Sequence, residues 1–227
     1  MMQRDDLLAK APVTLTLDKS LTTNKVLRNT YLLLSLTLLF SAFTAGIAMA
    51  TNAPPFHWLI TLAGYFGLLF LVTHLRDSAW GLAAVFALTG FLGYTLGPIL
   101  NLYLSLPNGS QVVMTALGGT GTIFLALSGY AVFSRKDFSF MGSFLMVGIL
   151  VAFLAGLGAM LFNIPTLSLA VSGMFILLMS GMILWQTSEI IHGGETNYIM
   201  ATVSLYISIF NLFLSLLQIL GIMSGDD

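Results

Sequence analysis

The 227 residues carry 8 basic and 9 acidic side chains, a formal net charge of −1 and no cysteine. This balance argues against a nucleic-acid partner, which needs a basic patch. The absence of cysteine excludes disulfides, thiol nucleophiles and thiolate metal sites. With 57% hydrophobic and 7% charged residues and a mean hydropathy of +0.95, the chain has more apolar surface than a water-soluble core can hide.

The chain opens on a tail, residues 1–28, that holds Arg4, Lys10, Lys19, Lys25 and Arg28. It is polar, with Thr14, Thr16, Ser20, Thr22 and Thr23 and little apolar periodicity, and is expected to be disordered. Seven apolar stretches follow, at 30–50, 57–75, 80–104, 112–133, 141–162, 166–191 and 197–221. Each has the ~20 residues that cross ~30 Å of hydrocarbon at ~1.5 Å per residue. Turn-forming sequence separates them, notably Asn52-Ala53-Pro54-Pro55, Pro107-Asn108-Gly109, Asn163-Ile164-Pro165 and Gly193-Gly194. In hydrocarbon every backbone N–H and C=O must be paired internally, which leaves helices or a closed barrel. Runs such as Phe175-Ile176-Leu177-Leu178-Met179 lack the alternation of a barrel strand. The sequence therefore predicts an all-α integral membrane fold, a seven-transmembrane-helix bundle over 29–221 with a short tail at 222–227. The Ala48-Met49-Ala50 triplet mimics a signal cleavage site, but the run before it is longer than the ~7–15 residues of a signal peptide.

Basic residues set the expected orientation. Beyond the tail, Arg76 falls in the second loop and Arg135 and Lys136 in the fourth, while the odd loops hold none. By the positive-inside rule the N-terminus is expected in the cytoplasm and the C-terminus on the far side. Lipid is the surrounding partner, and no cofactor is expected.

Polar residues inside spans are costly and tend to face the bundle interior. In the last span Ser204, Ser208, Asn211, Ser215 and Gln218 step by four, three, four and three, which places them on one helix face. Such a seam is either hydrogen-bonding glue between helices or the lining of a water-accessible path. Tyr206, Phe210, Phe213, Leu217 and Leu220 lie on the opposite face. Near the end of the sixth span, Gln186 and Glu189 share a face, and Glu189 is either an interfacial carboxylate or a buried proton sensor. Gly93 and Gly97 form a GxxxG pair in the third span, and Gly148, Ala152 and Gly156 form a small-residue ladder in the fifth. These faces permit close backbone approach, within the chain or to a second subunit. Pro98 is expected to kink the third span, with Asn101 near the same turn available to the freed backbone. His57, His74 and His192 lack the local spacing of a zinc site. No nucleophile–base pair, nucleophile elbow or phosphate loop is present, and the Gly118-Gly119-Thr120-Gly121 run sits inside a span, so an enzyme is not expected.

Three stretches carry a family resemblance: Lys25-Val26-Leu27-Arg28-Asn29-Thr30-Tyr31, the run from Thr89 through Gly93, Gly97 and Pro98 to Asn101, and the run from Ser188 through His192-Gly193-Gly194-Glu195 to Gly221. Over residues 24–221 the chain resembles the Bax inhibitor-1 family, in its bacterial YccA-type branch. The resemblance implies an inner-membrane bundle with the C-terminal helix central and the other six around it. It implies a protein that binds and modulates the membrane-anchored AAA+ quality-control protease FtsH, and that is itself taken up by its N-terminal tail. Other members resemble pH-sensitive calcium leaks, governed by a pair of aspartates in the sixth and seventh helices. At those positions this chain carries Gln186 and Ser208, neutral side chains that cannot share a proton.

Overall fold

A computed structural model gives the fold; residues 24–224 are described in full, side chains included. Among the described residues, seven helices are long and apolar enough to cross a bilayer. They are α1 (Gln3–Ala50, with its apolar span Asn24–Ala50), α2 (Trp58–Leu75), α3 (Trp80–Leu104), α4 (Gly109–Ser134), α5 (Gly142–Leu161), α6 (Pro165–His192) and α7 (Tyr198–Gly225). One 3-10 turn, Ser139–Met141, precedes α5.

The helix ends refine the sequence reading. Val26 and Leu27, ahead of the span predicted from residue 30, already pack into the core. The expectation of a disordered tail falls on residues 1–28, of which 1–23 lie outside the residues described in full. α4 starts at Gly109 instead of residue 112. A side chain at Gly109 would collide with Tyr103 O, so glycine lets α4 start pressed against the end of α3. α6 gains Pro165 in its first turn, where a missing N–H costs nothing. Asn52, Arg135 and Asn163 take left-handed φ angles of 50°, 49° and 51° and turn the chain out of α1, α4 and α5. α3 continues on both sides of Pro98.

Packing decides which helix is central. α7 touches α1, α3, α4 and α6, while α2 lies against α3 and α5 against α6. The family resemblance implied six helices around α7; four make its main contacts and two stand outside. Half of the apolar window of α7, and half of that of α3, is buried, against 6% for α2. Leu205, Tyr206, Leu212 and Leu217 in α7 are almost wholly enclosed. Lipid tails are as apolar as leucine, so contact area and hydrogen bonds rather than water exclusion hold such a bundle together.

The tightest crossing is α1 on α3. A methyl group at Gly93 would strike Ser41 O and Thr44 Oγ1, and one at Gly97 would strike Ala48 Cβ. The GxxxG face is thus used inside the chain. The ladder in α5 is also internal: Gly148 faces Leu178, Gly156 faces Val171 and Ala152 is fully buried, which seats α5 on α6.

Candidate functional site

Two of the polar residues of α7, Ser208 and Gln218, bond side chains of α6 and join the two helices. The Ser208 hydroxyl has its one proton between two acceptors, the Ser204 carbonyl at 3.0 Å and Gln186 Oε1 at 3.3 Å. Farther along, Gln218 Nε2 donates to Ser168 Oγ at 2.6 Å, and the Ser172 hydroxyl donates to Gln218 Oε1 at 2.7 Å. Asn211 turns its amide back to its own helix, onto the Ile207 carbonyl at 2.9 Å. Ser215 is buried and Ser204 is partly so. The two positions that stand where the family resemblance expects acids therefore touch each other, as a neutral amide and a hydroxyl.

At its α6 C-terminal end the seam runs into a cavity of about 240 Å³ lined by Trp185, Gln186, Glu189, Ile190, Gly194, Glu195, Ala201 and Ser204. Glu189 is half-buried in this wall, and its carboxylate lies directly over Gly194, where any side chain would collide with it. The backbone explains that approach. α6 ends in a Schellman turn, with Gly193 N–H donating to Ile190 O at 3.3 Å and Gly194 N–H to Glu189 O at 2.8 Å. Gly193 sits at φ 77°, which a residue without Cβ adopts at no steric cost. The indole N–H of Trp185, in the same wall, is buried without a hydrogen-bond partner.

The even-numbered loops are tied together at this end. Asn197 accepts the N–H groups of Ile199 and Met200 at 3.0 and 3.1 Å, capping α7. Its amide donates to Arg76 O at 3.1 Å and Asp77 Oδ1 at 2.9 Å, which fastens the α6–α7 loop to the α2–α3 loop. An open cavity of about 400 Å³ lies beside this junction. On the other side the Ser188 hydroxyl donates to Lys136 O at 3.2 Å and accepts Phe138 N–H at 3.0 Å. His192 bridges Ser188 and Arg135. Tyr31 in α1 bonds Ser128 toward the end of α4, and the Thr202 hydroxyl near the start of α7 lies 2.7 Å from Tyr198 O and 3.3 Å from Thr30 O. Lys25, Arg28, Arg76, Arg135 and Lys136 consequently share one end of the bundle. In the α4–α5 loop the Asp137 carboxyl is held below its ordinary range by the hydroxyl and the backbone N–H of Ser139; burial opposes this slightly, and His192 reinforces it.

Asn101 bonds elsewhere than expected. Its Nδ2 donates to Met49 O in the last turn of α1 at 3.3 Å, a carbonyl that also accepts the Asn52 N–H at 3.1 Å. The largest omission of the sequence reading is Tyr206, which was placed on the apolar face. It is 1% exposed. The Ser41 hydroxyl lies 2.6 Å from its phenol oxygen, and the phenol donates to Thr89 O at 3.3 Å. One side chain thereby pins α7 to α1 and α3. Aromatic residues in apolar stripes carry no sequence mark of such a partner.

A family model described as "Inhibitor of apoptosis-promoting Bax1" matches residues 23–225. The chain is 55% identical over 202 residues to an uncharacterised protein of Pseudomonas aeruginosa, covering 89% of this chain and 91% of the relative. It is 52% identical over 206 residues to the "Modulator of FtsH protease YccA" of Escherichia coli K12, covering 91% and 94%. An uncharacterised membrane protein of Vibrio cholerae is 46% identical over 215 residues, covering 94% and 96%.

Proposed function

This chain belongs to the Bax inhibitor-1 family, and on that premise we propose that it is a non-enzymatic inner-membrane protein that binds and restrains the membrane-anchored protease FtsH. The observation that carries this reading is the 52% identity, over 91% of the chain, to a relative named as a modulator of that protease. The seam supports it from another side. Gln186 and Ser208 meet across α6 and α7 as neutral groups, so this pair supplies neither a titrating group nor a carboxylate for a cation. The cationic residues gathered at one end fit a cytoplasmic N-terminus, which would put the protein's tail on the side where an AAA+ protease draws in its substrates.

The test is co-purification with FtsH from bacterial membranes, using the full chain and a form lacking residues 1–23. That deletion stops short of Val26, which is buried in the bundle. Recovery of FtsH with both forms, and a fall in turnover of an FtsH substrate on overproduction, are the expected results. Unchanged turnover on both overproduction and deletion would refute the proposal.

A second reading, a pH-sensitive calcium or proton leak, draws on one observation: Glu189 and Glu195 line the cavity at the end of the seam. Liposomes containing the pure protein and showing no flux of either ion at any pH would remove it. Introducing Gln186→Asp and Ser208→Asp together tests whether the scaffold is that of a leak, because the two carboxylates would then meet where the neutral pair meets now.

A further inference from the structure

We propose that His192 is a protonation-controlled latch between the C-terminal end of α6 and the α4–α5 loop. This rests on geometry independent of the protease reading. Both imidazole nitrogens face carbonyl oxygens: Nδ1 lies 2.9 Å from Ser188 O and Nε2 lies 3.1 Å from Arg135 O. Carbonyls only accept. A neutral imidazole has one N–H and one lone pair, so it can donate to one of the two and must turn a lone pair toward the other. Only the imidazolium donates to both.

Ser188 supplies the second half of the device. Its hydroxyl lies 3.3 Å from His192 Nδ1 and 3.2 Å from Lys136 O, and it has one proton to give. With the ring charged, Nδ1–H goes to Ser188 O, Nε2–H goes to Arg135 O, and the hydroxyl is free for Lys136 O. With the ring neutral and Nε2 protonated, Nδ1 presents a lone pair, and the one hydroxyl proton is drawn from Lys136 O toward it. With Nδ1 protonated instead, Arg135 O loses its donor. Each neutral form weakens or releases one bond to the α4–α5 loop; the charged form keeps them all.

The surroundings are mixed in charge. His192 is exposed and stands in the last turn of α6, where the free carbonyls of a helix favour a cation. From the α4–α5 loop, the Asp137 carboxylate is close enough to interact with it, while Arg135 and Lys136 bring positive charge. Glu189, one turn back on α6, and Glu195 in the following loop add negative charge. Gly193 follows immediately and leads into Gly194, which lines the cavity beside Glu189, so release of the latch loosens the mouth of that cavity.

The absence of cysteine allows a unique spin-label pair at Lys136→Cys and Thr196→Cys in the otherwise complete chain, placed in lipid nanodiscs. Electron–electron distance measurements are taken between about pH 5 and pH 8, the range over which histidine changes charge. The expected result is one sharp distance at the acid end that broadens toward the alkaline end. In His192→Ala the sharp component is lost at both. A distribution that does not change with pH in the chain retaining His192 overturns the proposal without reference to any variant. A pH response that survives in His192→Ala also overturns it and assigns the response to Asp137 or a glutamate.

Discussion

Replacing Tyr206 by phenylalanine removes one oxygen from the middle of the bundle and leaves the ring, with its stacking on Phe210 at 6.0 Å, in place. The lost atom accepts from Ser41 at 2.6 Å and donates to Thr89 O at 3.3 Å. Hydrogen bonds between membrane helices average ~0.6 kcal/mol and reach about 1.7. The short bond to Ser41, enclosed on all sides, belongs near the top of that range and the longer one near its mean. Tyr206→Phe should therefore cost about 2 kcal/mol. Most of that should be shared with Ser41, so a double-mutant cycle with Ser41→Ala should give a coupling of roughly 1.5 kcal/mol, well above the ~0.3–0.5 kcal/mol of independent sites. Reversible unfolding in mixed micelles measures both quantities. Additive effects of the two substitutions would refute the claim that this hydroxyl pair joins α1 to α7.

Gly93→Val should destabilise by about 1–3 kcal/mol or block assembly, because its side chain meets α1 backbone. Gly118→Ala, with open space around it, should be neutral or stabilise by up to ~1 kcal/mol through helix propensity; the same unfolding assay compares the two. Asn197→Ala should cost about 1 kcal/mol as a lost N-cap, and hydrogen exchange at Ile199 and Met200 should accelerate first. Asp137 has a folded-state pKa below its unfolded one, so its stabilising contribution is present above the unfolded value and fades as pH falls through the folded value. Ser139→Ala should move the Asp137 titration, followed by NMR, upward toward the ordinary carboxylate range.

Hydropathy alone located the seven spans, because a helix in lipid must be long and apolar whatever its neighbours are. The 3.5-residue spacing of Ser204, Ser208, Asn211, Ser215 and Gln218 was legible as one face for the same local reason. What that face meets was not. Ser208 and Gln186 are 22 residues apart, and Gln218 and Ser168 are 50 apart; only the crossing of α6 and α7 brings them within bonding distance. Tyr206 is the limiting case, with its partner Ser41 lying 165 residues away. The Asn101 amide was expected to serve the turn around Pro98, but α1 ends beside it and offers a nearer carbonyl. The start of α4 drifted to Gly109, where the end of α3 packs against it.

The position of α7 has a consequence for biogenesis. Of the seven helices it is synthesised last, yet it fills a slot between α1, α3, α4 and α6. Until it arrives, Gln186 and Ser41 have no cross-helix partner in α7, and the glycine-lined pairing of α1 with α3 must hold an unfinished bundle together. A nascent chain stalled before Asn197 would leave those groups facing lipid, a polar scar at membrane depth by which a half-made copy differs from a finished one.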